Sequence, residues 1–431
     1  MHSFVRLRTR EGTAVTDTST KKEPDKTISE NVSKKTVLII EDMNEMRLML
    51  KSMMLSLGYT NIEVEASGQS ALKRIAAKHF DIILSDYNLG GRINGQQVLE
   101  NSRKNNTLGH STIFIMITAD TGYDSVVSAI EHRPDSYMVK PFTPATLHRR
   151  LSRIKLQKNI FSEVDEHRAK MNFEMMESKA RAIMAKHPKY TSLCLKTIGE
   201  ALLSKKEYKA AKIHYMRVLK NNQEVSWAYF GVAQCDLCLK QPLSAVASLE
   251  KAIGISRHLL PAYDALSDAQ EELGNLKGAQ KAMIDSLEIT PRSLARTKRL
   301  GKISVRLKDW KIAEQAYSRV IRLTKDTQYE KIEYYYEHLK CLIAIQENDN
   351  QAPQTAEKLK RSLARLRTLG KDDPIVVSNS FRVEVQQHLN RERKSDAVKS
   401  WKIWKQLILS GKASSITNEQ EQTLKRKLGI F

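Results

Sequence analysis

The sequence predicts a multidomain chain, in which an α/β domain with a doubly wound, five-stranded parallel sheet precedes an all-α superhelix of repeated helix pairs. Three observations support this prediction. Five short apolar runs alternate with amphipathic stretches in residues 36–155, β-branched runs vanish after about residue 155, and a repeat of 34 residues follows. At 431 residues the chain is too long for one hydrophobic core, so two or three domains are expected.

Each strand of the first domain is predicted from a short run of aliphatic and β-branched residues. The five runs are TVLII, IEVEA, DIILS, TIFIMI and SYMV. Amphipathic stretches such as GQSALKRIAAKH separate these runs and are typical of helices. This alternation predicts a parallel sheet covered by helices on both faces, with the ligand site at the carboxyl ends of the strands.

The N-terminal segment, residues 1–35, is rich in Thr, Ser, Lys and Glu and poor in large apolar residues, so we expect a disordered leader. It has no apolar segment typical of a secretory signal, and no stretch of the chain is apolar enough to span a membrane. The four cysteines are too scattered for a disulfide framework and fit a reducing compartment. The sequence therefore predicts a cytoplasmic protein.

Acidic and polar residues end the predicted strands of the first domain. Glu41 and Asp42 close the first strand, Asp86 the third, Thr118 the fourth and Lys140 the fifth. All five side chains are expected at one edge of the sheet. Three carboxylates there would repel one another unless a divalent cation neutralised them, and oxygen ligands suit Mg²⁺. The pattern predicts a metal-assisted phosphoryl-transfer site.

These motifs, in this order, resemble the receiver domain of bacterial response regulators, and the resemblance covers residues 36–155. It implies that Asp86 accepts a phosphoryl group from a histidine kinase. It also implies that Asp42 binds Mg²⁺ directly, while Glu41 contributes through water.

The same resemblance assigns roles around the phosphoryl group. Lys140 would pair with the phosphoryl oxygens, Thr118 would move to donate a hydrogen bond to one of them, and Tyr137 would be the aromatic switch that follows. The peptide bond between Lys140 and Pro141 is expected to be cis.

Two further residues bear on the lifetime of the phosphoryl group. Asn88 lies two residues after Asp86, and Asp120 lies two residues after Thr118. In the resembling family these positions flank the path of the water that hydrolyses the aspartyl phosphate, so small polar side chains there predict a short-lived phosphoryl group. The loop GGRINGQ that follows is one residue longer than is usual in this family.

The helical region repeats every 34 residues, as its alanines show. The alanines are Ala211, Ala245, Ala279 and Ala313. Small residues stand twelve positions before them, namely Gly199, Ala233, Ser267 and Gly301. Large residues stand four positions after them, namely Tyr215, Leu249, Met283 and Tyr317. A small residue facing a large one allows two antiparallel helices to approach closely.

This period resembles the tetratricopeptide repeat family and predicts four repeats at residues 192–325. We expect a helical linker or capping helices at 156–191, and diverged repeats with a C-terminal cap at 326–431. The resemblance implies that the repeats bind another protein.

Candidate partner-binding residues lie on the first helices of the repeats, which are expected to line the concave face. They are Trp227, Phe230, Lys298, Lys302 and Arg306. The aromatic pair has packing as an alternative role. The preceding repeat places Asp264, Asp268 and Glu271 on the corresponding helix, so the sequence predicts a groove of mixed charge.

Together the patterns predict a response regulator and not a metabolic enzyme, in which phosphorylation of Asp86 controls protein binding by the repeats. Its expected partners are a histidine kinase and an unidentified protein. The alternative is a phosphorylation-gated nucleic-acid binder, because residues 151–431 carry +19 of the net charge of +22. Aromatic platforms interleaved with the basic residues are missing, so nucleic acid is not the expected partner.

Overall fold

The structure, a computed structural model, describes residues 32–91, 93–105, 107–109, 111–119, 134–327, 329–348, 353–412 and 416–430. The described chain divides into two compact units, the first ending at Lys155 and the second beginning at Leu156. The first unit is α/β and the second is all α, which confirms the predicted fold class. The prediction of a disordered leader falls mostly on residues 1–31, which lie outside the described residues.

The sheet has five parallel strands in the order β2-β1-β3-β4-β5. The strands are β1 (Thr36–Ile40), β2 (Asn61–Glu65), β3 (Ile82–Asp86), β4 (Ile113–Thr118) and β5 (Ser136–Val139). The aliphatic runs of β1, β3 and β4 are almost wholly buried, as expected for central strands of a parallel sheet. The edge strand β2 is partly exposed, and its sequence alternates apolar and acidic residues.

Four helices accompany the strands in the described part of this region. They are α1 (Asn44–Ser56), α2 (Gly68–Ala77), α3 (Gly95–Lys104) and α4 (Pro144–Ala169). Leu50 and Met54 of α1 share one aliphatic core with Leu147 and Leu151 of α4 and with the buried residues of the sheet. This core fixes the strands side by side, so the loops that follow them meet at one edge.

The second unit is built from antiparallel helix pairs. The first helices of four successive pairs are α6 (Thr191–Ser204), α8 (Ser226–Cys238), α10 (Leu260–Glu272) and α12 (Leu294–Arg306). The second helices are α7 (Tyr208–Asn221), α9 (Pro242–Ile255), α11 (Leu276–Ile289) and α13 (Trp310–Thr324). The second helices therefore begin 34 residues apart, at the period that the alanines show in the sequence.

Contacts between small and large residues join helices within a pair and between neighbouring pairs. Gly199 on α6 and Gly231 on α8 both face the ring of Tyr215, and a Cβ added at either glycine would overlap that ring. Gly301 faces Tyr317 in the same way. At these three glycines the neighbouring helix approaches so closely that a larger residue would have to displace a tyrosine ring.

Further helices flank the four pairs. They are α5 (Phe173–Lys186) before them and α14 (Ile332–Asn348), α15 (Pro353–Leu369), α16 (Pro374–Asn390), α17 (Lys394–Leu409) and α18 (Asn418–Leu428) after them. Trp401 and Trp404 of α17 are buried together with Leu428 of α18, so this tryptophan pair packs the last two helices against each other. No helix in the described ranges is long and apolar enough to cross a membrane.

Candidate functional site

Three carboxylates meet where strands β1 and β3 end. Glu41 and Asp42 directly follow β1, and Asp86 is the last residue of β3. One carboxylate oxygen from each of the three lies within 4.8 Å of the others. Because β1 and β3 are neighbouring parallel strands, their carboxyl ends lie side by side. The structure therefore brings together the three predicted metal ligands.

Lys140, which follows β5, reaches into this acidic cluster. Its Nζ lies 2.7 Å from Oε2 of Glu41 and 2.9 Å from Oδ1 of Asp86. Its backbone N–H donates a hydrogen bond of 2.7 Å to the carbonyl of Thr118, at the end of β4. The peptide bond from Lys140 to Pro141 is cis, as expected. One ammonium group thus contacts two of the three carboxylates.

Burial and contact with a group of opposite charge shift the pKa values of these side chains in opposite directions. Burial raises the pKa of Glu41 and of Asp86 above ordinary carboxyl values, and contact with Lys140 only partly opposes it. Burial lowers the pKa of Lys140, but its contacts with Glu41 and Asp86 outweigh this, so the pKa is raised. The cluster holds more negative charge than its single ammonium group offsets.

The donor set fits a divalent cation. Oε1 of Glu41 is buried and, within the described part of the chain, has no hydrogen-bond partner. A buried carboxylate oxygen without a partner is unfavourable unless positive charge or a bound water compensates for it. Oxygen ligands from carboxylates are those that Mg²⁺ prefers. The residues present are therefore suited to hold Mg²⁺.

Gly90, on the loop that follows β3, lies against the carboxylate of Asp42. Its φ of +54° is in the left-handed region, and a Cβ added there would lie 2.5 Å from Oδ2 of Asp42. A side chain at this position would push the carboxylate away from the cluster. Sequence reasoning noted the length of this loop but missed the contact. The consecutive glycines in GGRING were the available signal.

The other predicted residues of the first unit lie around the cluster. The backbone N–H of Asn88 donates to Oδ2 of Asp86 at 3.1 Å, and the Asn88 side chain is exposed. Thr118 is buried at the end of β4, and Tyr137 on β5 is 37% exposed. Asp120 lies outside the described residues.

The candidate residues of the helical region fall into two separate groups. Trp227 on α8 packs edge to face with Tyr215, with ring centroids 6.2 Å apart, and Phe230 packs in the core around α9. Both aromatic side chains are half-buried. The basic stripe lies on α12, where Lys302 is exposed and Lys298 Nζ lies 5.4 Å from the centroid of the Tyr334 ring.

Arginines of α12 pair with the acidic residues of α10, which sequence reasoning missed. The pairs are Arg296 with Asp264, Arg299 with Asp268 and Glu271, and Arg306 with Glu271. On α12, Arg296 and Arg299 are three residues apart, and Arg306 follows Arg299 by two turns. This spacing is the signal that could have revealed that the three arginines share one face of the helix. The mixed charge predicted for the groove is therefore largely neutralised between α10 and α12.

The turns inside the helix pairs repeat as closely as the helices do. Lys206, Lys240, Gly274 and Lys308 adopt positive φ values between 58° and 73° and lie 34 residues apart. Sequence reasoning placed a turn at Gly274 only, because lysine gives no local signal for the left-handed conformation.

Comparison with known proteins separates the two units. Residues 37–152 match the response regulator receiver domain family. The chain is 33% identical over 118 residues to the chemotaxis protein CheY-3 of Vibrio cholerae, covering 27% of this chain and 89% of that protein. It is 30% identical over 118 residues to the chemotaxis protein CheY of Pseudomonas aeruginosa, covering 27% of this chain and 94% of that protein.

A solved tetratricopeptide repeat protein from Parabacteroides merdae aligns over 63% of this chain and 98% of its own, with 13% identity and a TM-score of 0.34.

The receiver match spans nearly the whole length of its curated relatives and includes the carboxylate cluster described above. The chain therefore belongs to the response regulator receiver family, whose members act in two-component signalling.

Proposed function

We propose that phosphorylation of Asp86 by a histidine kinase controls the binding of a protein partner by the helical repeats of residues 192–325. The observation that supports this most is the position of Asp86, which ends a central strand, contacts Lys140 and lies beside the Glu41 and Asp42 carboxylates. Phosphoryl transfer depends mainly on positioning and on stabilising charge, and this cluster supplies both.

In the proposed reaction a carboxylate oxygen of Asp86 attacks the phosphorus of a phosphohistidine on the kinase. The phosphorus–nitrogen bond breaks, and its electron pair stays on the histidine nitrogen, which then takes up a proton. The product is an acyl phosphate on Asp86. The Asn88 N–H holds one oxygen of Asp86, and Lys140 holds the other, so the carboxylate is oriented before the donor arrives.

In this proposal Glu41, Asp42 and Asp86 hold Mg²⁺, whose charge would offset that of the phosphoryl oxygens. Lys140 keeps Glu41 in place through their 2.7 Å contact. It is also close enough to Asp86 to pair with a phosphoryl group attached there. Gly90 leaves room for the Asp42 carboxylate beside the cluster.

The remaining predicted residues act after transfer. Thr118 would donate a hydrogen bond to a phosphoryl oxygen, and the half-exposed Tyr137 on the neighbouring strand would change orientation in response. Asn88, whose side chain is exposed next to Asp86, and Asp120 would admit the hydrolytic water and keep the acyl phosphate short-lived.

Helix α4 runs from the first unit into the second, and in this proposal it transmits the effect of phosphorylation to the helical repeats. Its first half contributes Leu147 and Leu151 to the core of the first unit, and its second half contributes Phe161 and Val164 to a core of the second unit.

The proposal includes a cytoplasmic location, because four free thiols, three of them buried, fit a reducing compartment.

The first test is phosphorylation itself. The full chain is incubated with Mg²⁺ and acetyl phosphate, and acid-labile phosphoryl groups are quantified for the wild type, for Asp86→Asn and for the control Glu45→Gln, which changes an exposed carboxylate on α1. We expect labelling of the wild type and of the control only. Labelling of Asp86→Asn at the wild-type level would overturn the assignment of Asp86.

The second test is the output. Immobilised full chain, with and without beryllofluoride and Mg²⁺, is used to retain proteins from an extract of the source cells, and the retained proteins are quantified by mass spectrometry. We expect a protein whose retention changes with beryllofluoride for the wild type and not for Asp86→Asn. Identical retained sets in both states would contradict control of binding by phosphorylation.

A further inference from the structure

Neighbouring first helices of the superhelix differ in whether ion pairs join them. We call the interval from one first helix to the next a step. Across the step from α10 to α12, the arginine pairs described above occupy the carboxylates of α10. Across the next step, from α12 to α14, no such pairs form among the described residues. Four lysines there contact no carboxylate, namely Lys298, Lys302, Lys331 and Lys340. Among the described residues, the lysines between α12 and α14 are thus left without acidic partners.

These lysines surround a groove of about 500 Å³ between α12 and α14. Glu333 and Glu337 also line it, and Arg306 lines it while pairing with Glu271, so four unpaired lysines stand against two glutamates. The groove is net positive.

The floor of the groove is apolar and aromatic. Val305, Tyr317 and Tyr334 form it, and both tyrosines are at least nine-tenths buried. The Lys298 ammonium lies over the Tyr334 ring. An apolar floor beneath a charged rim suits a ligand that brings one apolar side chain together with several charges of the opposite sign.

A second groove continues this surface. It has a volume of about 730 Å³, lies between α14 and α16, and shares Glu337 and Lys340 with the first. Trp310 and Arg382 line it as well. The two grooves together offer an elongated surface that is suited to a stretch of polypeptide more than to a small molecule.

We infer that the groove between α12 and α14 binds an acidic segment of a protein partner. An apolar side chain of that segment packs on Val305 and Tyr334, and its carboxylates pair with the lysine rim. Lysine suits this role better than arginine, because a guanidinium group can form a fixed bidentate pair, as Arg296 does with Asp264, whereas solvated ammonium groups stay available. The inference rests on the proposed function and deepens it by naming the ligand class and the place.

The test uses a fluorescent peptide rich in Asp and Glu around a central Leu-Phe pair, titrated with the full chain and followed by anisotropy. The groove variant is K302E/K340E, and the control is K311E/K325E, which makes the same charge change at exposed lysines that line neither groove. We expect the groove variant to bind roughly tenfold more weakly and the control to bind like the wild type. Replacing the Leu-Phe pair by Ser-Ser should also weaken binding.

Three results would overturn the inference. Equal weakening in the groove variant and the control would show only attraction to the basic chain as a whole. Unchanged affinity of the Ser-Ser peptide would remove the role of the apolar floor. Displacement of the peptide by single-stranded RNA, with RNA binding lost in the groove variant, would mark a nucleic-acid site instead. The proposed function fails separately, through the beryllofluoride comparison: a partner retained normally by K302E/K340E would refute the groove alone.

Discussion

Two glutamates, one in each unit, show how differently the two halves of the molecule treat charge. Glu41 is buried, one of its carboxylate oxygens accepts no hydrogen bond from the part of the chain that the structure describes, and burial raises its pKa. The Glu330 side chain, 5% exposed, accepts hydrogen bonds from Arg365, Tyr335 and the Asp326 backbone. Hydrogen bonds from Arg365 are the largest cause that lowers the pKa of Glu330 to about 2.

Buried carboxylates in this chain therefore fall into two classes. Where a buried carboxylate is fully paired within the protein, as at Glu330, its role is architectural. Where it is left short of positive charge, as in the cluster of Glu41, Asp42 and Asp86, we propose that a ligand supplies the missing charge. Substitutions in the two classes should therefore have different consequences for stability.

The buried pair between Lys212 and Asp236 belongs to the architectural class. Lys212 Nζ lies 2.6 Å from the Asp236 carboxylate, which is almost fully buried. Lys212→Met leaves that carboxylate without a partner, so we expect it to lower the free energy of unfolding by about 3–5 kcal/mol. Lys209→Met, an exposed change on the same helix, should have little effect. Urea unfolding measures both, and equal stability of the two variants would contradict the contrast.

The glycines of the repeats offer a matched pair of identical substitutions. Gly199→Ala places a methyl group inside the Tyr215 ring, whereas Gly254→Ala, on α9, meets no atom within 4 Å. We expect the first to lower stability by about 1–3 kcal/mol through overpacking. The second should raise stability by about 0.5–1 kcal/mol, because alanine favours the helix. Melting temperatures that shift in the same direction for both variants would show that the close approach is unimportant.

These two variants also mark what the sequence could reveal. The small residue at position 199 and the large one at 215 belong to a period that is visible in the sequence, so their contact was predictable. The carboxylate cluster was predictable for a similar reason, since residues that end neighbouring parallel strands must lie together. In both cases the backbone geometry alone determines which side chains meet.

Contacts that depend on the rotation of one helix against another were not predictable. Sequence reasoning placed Arg306 on a binding stripe with Lys298 and Lys302, but the arginine pairs with Glu271 of the preceding repeat. Which side chain of α12 faces α10 depends on a few degrees of helix rotation, and that rotation is set by packing along the whole interface. The lack of ion pairs between the described residues of α12 and α14 was not predictable for the same reason.

The cluster of Glu41, Asp42 and Asp86, in which one lysine faces three carboxylates, should gain stability when a carboxylate is lost. Without Mg²⁺, Asp42→Asn removes one of three mutually repelling charges, so we expect a gain in stability of about 1 kcal/mol. Addition of Mg²⁺ should stabilise the wild type and have little effect on the variant, because Asp42 is one of the proposed ligands. Thermal unfolding with and without Mg²⁺ measures both effects. A loss of stability in the metal-free variant would place Asp42 in the architectural class.

The last prediction concerns pH and the Glu330 cluster. The pKa of Glu330 is lowered from its ordinary value of 4.5 to about 2, so the folded protein binds this proton less readily than the unfolded chain does. The stabilisation is therefore fully present above about pH 4.5 and is lost as the pH falls toward 2. Over that range we expect Glu330 to contribute less than about 1 kcal/mol to stability, because solvent screening at the partly exposed Arg365 and the cost of burying the pair offset most of the ideal linkage energy.

Other carboxylates titrate in the same range, so the measurement must be a difference. Urea unfolding of the wild type and of Glu330→Gln at pH 6, 5, 4 and 3 isolates the contribution of Glu330, since the amide does not titrate. The stability gap between the two proteins should narrow as the pH falls. The control Glu357→Gln removes a carboxylate whose ion pair with Arg361 is exposed, and it should show a small gap that hardly varies with pH. A Glu330 gap that stays constant down to pH 3 would mean that Arg365 holds the side chain by shape and not by charge.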